Sequence, residues 1–193
     1  DRMIAIVDYG LGNIANLTNA IRFLGYETIL THEEAELRKA DVIVLPGVGH
    51  FKDAIERIDA IGLRELLTEL EQTKPFIGIC LGMQLLFEHS EEGDVDGLGF
   101  LPGEVKYIVS DLPVPHLGWN NLHSSHPGLD KDVYFIHSYK VVTDENVVAT
   151  ADYGQEIVAI VQKDNVIGIQ FHPEKSGDYG LEILNQALQG GWK

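Results

Sequence analysis

Apolar positions along the chain follow two alternating rhythms. Met3-Ile4-Ala5-Ile6-Val7, Val42-Ile43-Val44-Leu45 and Phe76-Ile77-Gly78-Ile79 are unbroken runs of strand length, the pattern of strands buried on both faces. Between them apolar residues recur with helical spacing. One set is Ile14, Leu17, Ile21 and Leu24, with Asn13 placed to cap the helix. Phe51, Ala54, Ile55 and Ile58 form a second face, and after Gly62 the residues Leu63, Leu66, Leu67 and Leu70 form a third. Glu27 to Leu30 predicts a short strand, and Thr31-His32-Glu33-Glu34 has the spacing of a capping box that opens a helix to about Lys39. Another helix is expected from Cys80 through about Glu88. This alternation predicts an α/β fold with a mostly parallel central sheet and helices on both faces. From Gly103 to His172 the rhythm changes to short strand-like runs, 105–109, 133–139, 157–161 and 166–171, which predict a mixed or antiparallel extension. Leu181, Leu184 and Leu188 mark a closing helix that packs back on the sheet.

No repeat, low-complexity stretch or linker interrupts the pattern, and 193 residues at about 150 per domain predict one domain. Asp1 and Arg2, ahead of Met3, read as an expression remnant. Thirty acidic residues against fourteen Lys and Arg leave a net charge of −16, and the basic residues are scattered, which argues against nucleic-acid and anionic-membrane partners. No run approaches the roughly 18 apolar residues of a spanning helix, and no leader pattern opens the chain, so the cytoplasm is the expected compartment. A single cysteine, Cys80, excludes an internal disulfide and a Cys-based zinc cluster.

Gly10-Leu11-Gly12-Asn13-Ile14-Ala15 fits a dinucleotide fingerprint between a strand and a helix, yet the expected acidic residue at the end of the second strand is replaced by Thr31-His32. A glycine-permitted turn is the simpler reading. Gly78-Ile79-Cys80-Leu81-Gly82 carries the stronger signal. A nucleophile on a sharp strand-to-helix turn needs small residues two positions either side, and the following helix N-terminus is expected to lower the thiol pKa. Against this stands the common case of an inert buried cysteine. His172 and Glu174, in Phe171-His172-Pro173-Glu174, fall on one side of an extended chain as base and orienter. Pro46-Gly47-Val48-Gly49 ends a central strand where ligands of parallel sheets bind, so a peptide N–H of this turn, at Val48, and that of Leu81 are candidate oxyanion donors. His123 and His126 lie in a turn-rich stretch without carboxylate support, and neither a metal nor another cofactor is expected.

Taken together these segments resemble the class I, triad-type glutamine amidotransferases, and within them the glutaminase subunits of imidazole glycerol phosphate synthases. The resemblance runs from Met3 to the end, so 3–193 is expected to be one glutaminase domain. It rests on Asp8-Tyr9-Gly10-Leu11-Gly12-Asn13, Pro46-Gly47-Val48-Gly49-His50-Phe51, Gly78-Ile79-Cys80-Leu81-Gly82-Met83-Gln84, Pro115-His116-Leu117-Gly118-Trp119-Asn120, Phe135-Ile136-His137-Ser138-Tyr139 and Phe171-His172-Pro173-Glu174-Lys175-Ser176. Lys52 stands where the family pattern has a glycine. The resemblance implies a flavodoxin-like fold. It implies that Cys80 attacks the side-chain amide of L-glutamine, that His172 moves the proton to departing ammonia, and that Glu174 orients His172. It implies further that Gly49, Gln84, Glu92 and His137-Ser138-Tyr139 position glutamine, with Glu92 at its amino group. Asn13, Trp119 and Asn120 would face a (β/α)8 cyclase subunit that receives the ammonia in a heterodimer. The competing expectations are a stand-alone cysteine hydrolase, such as a γ-glutamyl hydrolase, and a catalytically silent binding module.

Overall fold

A computed structural model describes residues 2–11 and 14–193. Asn13, with its expected roles as helix cap and partner contact, lies outside the described residues, as do Gly12 and Asp1.

The first half alternates as the apolar pattern requires. β1 (Met3–Val7), α1 (Ala15–Phe23), β2 (Glu27–Thr31), α2 (Glu34–Lys39), β3 (Val42–Leu45), α3 (Phe51–Ala60), α4 (Arg64–Glu71), β4 (Phe76–Ile79) and α5 (Leu81–Leu85) follow in order. After these come β5 (His89–Ser90), β6 (Val95–Asp96), β7 (Glu104–Tyr107), β8 (His116–His123), β9 (Asp132–His137), β10 (Tyr139–Val142), β11 (Val147–Asp152), β12 (Glu156–Lys163), β13 (Val166–Ile169) and α6 (Gly177–Leu188). Nine strands form one sheet in the order β2-β1-β3-β4-β13-β12-β11-β8-β9. β2, β1, β3, β4 and β13 run parallel, and each later neighbour runs antiparallel to the one before it. A four-stranded sheet, β10-β7-β5-β6, packs beside it.

Strand side chains alternate between two apolar layers. Ile4, Ile6, Val42, Val44, Ile77 and Ile79 point to the layer closed by α1 and α6, while Ala5, Val7, Ile43, Leu45 and Phe76 point to the one closed by α2, α3, α4 and α5. Both faces being covered, β3 and β4 carry no polar residue. At the antiparallel end Val133, Phe135 and His137 of β9 are buried, whereas Ile136 is exposed.

Three local expectations are corrected. The capping box is displaced: Thr31 ends β2, its hydroxyl accepts from the Glu33 N–H at 2.9 Å and donates to Glu36 at 2.5 Å, so Glu34 is already helical. The helix after Cys80 stops at Leu85. The carbonyls of Leu85, Leu86, Phe87 and Glu88 accept from Leu98, Leu101, Gly99 and Gly97, so a returning loop takes the acceptors a longer helix would use. The run 133–139 breaks at Ser138, and its two parts join different sheets.

Candidate active site

β4 delivers Cys80 into the turn before α5 with φ 59° and ψ −118°. An L-residue held there costs about 1–3 kcal/mol and persists only where its surroundings force it. The force is a backbone crossing. A Cβ on Gly78 would stand 2.5 Å from the Gly82 carbonyl oxygen, and one on Gly82 would stand 1.9 Å from that of Leu45. The Cys80 N–H donates to the Ile169 carbonyl at 2.7 Å, tying the elbow to β13, the strand that leads to His172.

Cys80 Sγ lies 3.3 Å from His172 Nδ1 and 3.3 Å from the Phe171 carbonyl, to which the thiol donates. Glu174 Oε2 is 3.4 Å from the same His172 Nδ1. One ring nitrogen therefore meets both sulfur and carboxylate, where the sequence reading expected extended chain with base and orienter side by side. The cause is a 3₁₀ turn, Pro173–Lys175, that folds Glu174 back after His172. The His172 carbonyl holds this turn by accepting from the Lys175 N–H at 3.1 Å and the Ser176 hydroxyl at 2.6 Å. Glu174 Oε1 is buried and accepts from no group among the described residues. Burial first, then the Glu174 carboxylate, pushes the Cys80 thiol well above its ordinary range, with Lys175 acting weakly the other way. The sequence pattern expects a lowering from the helix N-terminus, whereas α5 has only five residues and burial moves the thiol the other way.

A cleft of about 360 Å³ opens on Cys80. It is lined by Gly49, Gln84, Glu92, His137, Ser138 and Tyr139, the residues assigned to glutamine, together with Val48 and Leu81. Gln84 Nε2 donates to the Tyr139 carbonyl and to Gln170 Oε1, both at 3.1 Å. Glu92 Oε1 accepts from the Phe51 N–H at 2.8 Å and so caps α3, which begins despite Lys52 at the second position. The Leu81 N–H donates to the Gly47 carbonyl at 3.3 Å. A smaller cleft of about 110 Å³, reaching Ile14 and Asn16, shares Val48, Cys80, His172 and Lys175 with the first. Gln170, outside every motif, also lines the larger cleft, as do Lys175, Pro115 and Ile136, which stand in the motifs without an expected role. Period two back from His172 could have found Gln170.

Trp119 is 58% exposed, edge-on to Tyr134 at 5.8 Å, beside Leu117 and Ile136, which are also exposed. Half-buried Asn120 turns its side chain inward: Nδ2 donates to the Asp152 carbonyl at 2.8 Å and to His116 Nε2 at 3.1 Å. No helix among the described residues is long and apolar enough to cross a membrane.

Residues 5–189 match the family model of class-I glutamine amidotransferases. The chain belongs to that family. It is a glutaminase enzyme by this membership. Two similar relatives are proteins named imidazole glycerol phosphate synthase subunit HisH. The one from Staphylococcus epidermidis is 60% identical and the one from Staphylococcus aureus 58% identical, each over 190 residues covering 98% of both chains. Among solved structures, one described as a glutamine amidotransferase shares the fold with a TM-score of 0.78 at 20% identity, over 96% of this chain and 98% of its own. A putative GMP synthase protein from Thermoplasma acidophilum does so with a TM-score of 0.73 at 19% identity, over 97% of this chain and 92% of its own. The flavodoxin-like α/β class read from the sequence is thus the class of this amidotransferase.

Proposed function

We propose that this amidotransferase is the glutaminase subunit of an imidazole glycerol phosphate synthase. It cleaves L-glutamine to glutamate and ammonia and passes the ammonia to a (β/α)8 cyclase bound in a heterodimer. The observation that carries this reading is the strained Cys80 elbow 3.3 Å from His172, opening on a cleft lined by the motif residues of that subunit family. Identity of 58–60% to HisH subunits over nearly the full length supports the choice of partner, and it disfavours a stand-alone hydrolase.

In the reaction His172 takes the thiol proton as Cys80 attacks the carboxamide carbon of glutamine, so the thiolate exists as an ion pair with imidazolium and not as a free buried anion. Collapse of the tetrahedral intermediate transfers that proton to the amide nitrogen and releases ammonia, leaving a thioester. A water molecule, deprotonated by His172, then attacks the thioester to give glutamate and restore the thiol. Glu174 steadies the imidazolium, and its Oε1, unpartnered among the described residues, leaves a second acceptor for a ring N–H. Gly49, Gln84, Glu92 and the 137–139 segment hold the substrate. The smaller cleft behind Cys80 suits the departing ammonia, and exposed Trp119 suits the cyclase contact.

The oxyanion hole has a resting state. The Gly47 carbonyl occupies the Leu81 N–H, and the same peptide unit carries the Val48 N–H on its opposite edge. Rotating that one peptide frees Leu81 and brings in Val48, which couples hydrolysis to partner binding.

Copurification with the cyclase, followed by glutamate release with and without the cyclase ligand, tests the reading. The Cys80→Ala complex is expected to lose glutamine hydrolysis and keep synthesis from free ammonia. Full hydrolysis by the isolated chain, or no complex with the cyclase, refutes it.

A further inference from the structure

Two buried histidines form a pair beside the cleft: His137, which opens the substrate-holding 137–139 segment, and His116, which has no part in the chemistry above. His116 at the start of β8 and His137 at the end of β9 face each other, with His116 Nδ1 2.9 Å from His137 Nε2. His137 Nδ1 lies 2.8 Å from the Tyr139 carbonyl, and His116 Nε2 lies 3.1 Å from Asn120 Nδ2.

The proton positions follow from both ends of this chain. Asn120 Oδ1 accepts from the Asn121 N–H at 2.8 Å and Nδ2 donates to the Asp152 carbonyl, so the amide cannot be turned over. It presents an N–H to His116 Nε2, which must be the bare nitrogen, and His116 carries its proton on Nδ1. At the other end a carbonyl can only accept, so His137 carries its proton on Nδ1 and receives that of His116 on Nε2. The two derivations agree. Stacking of the His116 ring between Phe135 at 4.4 Å and Tyr153 at 4.1 Å holds its nitrogens along this line. Burial lowers both imidazoles to about 4, which keeps them neutral near pH 7.

The Tyr139 carbonyl at the end of the chain also receives Gln84 Nε2, whose other hydrogen goes to Gln170 Oε1. We infer that His116 is a positioning residue for glutamine: the directed chain Asn120 to His116 to His137 fixes the Tyr139 carbonyl, and through it the Gln84 side chain, from the buried face of the strand that carries Trp119 on its exposed face. The inference rests on the reading of Gln84 and Tyr139 as groups that hold glutamine.

Nitrogen-15 NMR of the intact chain reads the two tautomers without any substitution. Both imidazoles are expected as the Nδ1–H form, and either one found as Nε2–H overturns the inference. Glutamine affinity is then measured in a Cys80→Ala background, where nothing turns over. Asn120→Asp replaces the donor by an acceptor, pulls the proton to His116 Nε2 and breaks the chain. His116→Phe keeps the stack and removes both nitrogens. Each is expected to weaken glutamine about 3- to 10-fold, the worth of one hydrogen bond. His116→Asn keeps a donor toward His137 and loses the stack, so it should melt earlier yet bind within about threefold of the parent. The reverse order, with the Phe variant normal and the Asn variant impaired, means packing alone and overturns the inference. Gln84→Met separates the premises: if it binds glutamine like the parent, the pocket reading fails. If it binds weakly while Asn120→Asp and His116→Phe bind normally, only the relay fails.

Discussion

The five parallel strands and the four antiparallel strands of the main sheet make their functional features by different means. In the parallel half, backbone does the work. Cys80 is aimed by a left-handed φ and by glycines pressed against neighbouring peptides, and the candidate oxyanion donors are main-chain N–H groups. In the antiparallel wing, side chains do it. β8 and β9 have one face buried, and there His116, His137 and Asn120 satisfy one another and a carbonyl of the cleft. Backbone devices tolerate no added atom, because a close-packed crossing has no slack. Side-chain devices tolerate changes of size but not of donor and acceptor pattern, because a buried polar group without a partner costs about 1–3 kcal/mol.

A pair of glycine substitutions breaks this contrast most directly. Gly82→Ala drives a methyl group to 1.9 Å from the Leu45 carbonyl, and about 3 kcal/mol or more of unfolding free energy should be lost, or no folded protein recovered. Gly118→Ala in the wing, at φ 121° with nothing within 4 Å, should cost about 1–3 kcal/mol in backbone strain alone and still give folded protein. Urea midpoints compare them, and equal losses would abolish the distinction.

Next in size is Val48→Pro, which removes an N–H without adding bulk to the crossing. The variant should fold and bind the cyclase, while stimulation of glutamate release by the cyclase ligand falls about 100- to 1,000-fold, the cost of one oxyanion donor. Normal stimulation would mean that the hole is built from other groups.

Trp119→Ala probes the exposed side of the wing. With the indole 58% exposed, the melting temperature should stay within a few degrees, whereas affinity for the cyclase drops by about 1–2 kcal/mol. A large fall in melting temperature with unchanged affinity would make Trp119 a packing residue.

The smallest effect is on acid stability. His116 and His137 titrate near 4 when folded, against about 6.5 when unfolded, so between these values the unfolded chain binds more protons. Their contribution is complete above about pH 6.5 and is lost as the pH falls toward 4. His172 and His116 are the charges that oppose protonation of His137. Urea midpoints should decline from pH 7 to pH 5 in the parent and decline less in His116→Phe. An identical slope would place the acid sensitivity elsewhere.

Legibility in the sequence divides along the same line. β1, β3 and β4 were readable because strands buried on both faces must be apolar throughout, and the Cys80 elbow was readable because only glycine fits two crossing backbones. β8 was not. His116-Leu117-Gly118-Trp119-Asn120 alternates polar, apolar and glycine, and its buried face is made by a histidine that satisfies itself only against residues 4 and 21 positions away. The five-residue α5 was missed because competing donors arrive from the returning loop at 97–101, and the capping box was displaced because the Thr31 hydroxyl takes Glu36, two residues beyond the expected partner.

Sequence alone determined the layered α/β class and singled out the candidate nucleophile and its neighbouring histidine, because these depend on apolar periodicity and on glycines that no other residue can replace. Tertiary structure alone decided the rest: that Glu174 returns to the nitrogen facing the sulfur, that the thiol is held up by burial, that the Leu81 N–H is already taken, and that Asn120 turns inward while Trp119 turns out. The reason is the range of the interactions. A glycine requirement is written at fixed positions two residues either side of Cys80 even where the backbone it makes room for is distant, whereas desolvation and hydrogen-bond competition are set by whichever atoms the folded chain brings within about 3 Å.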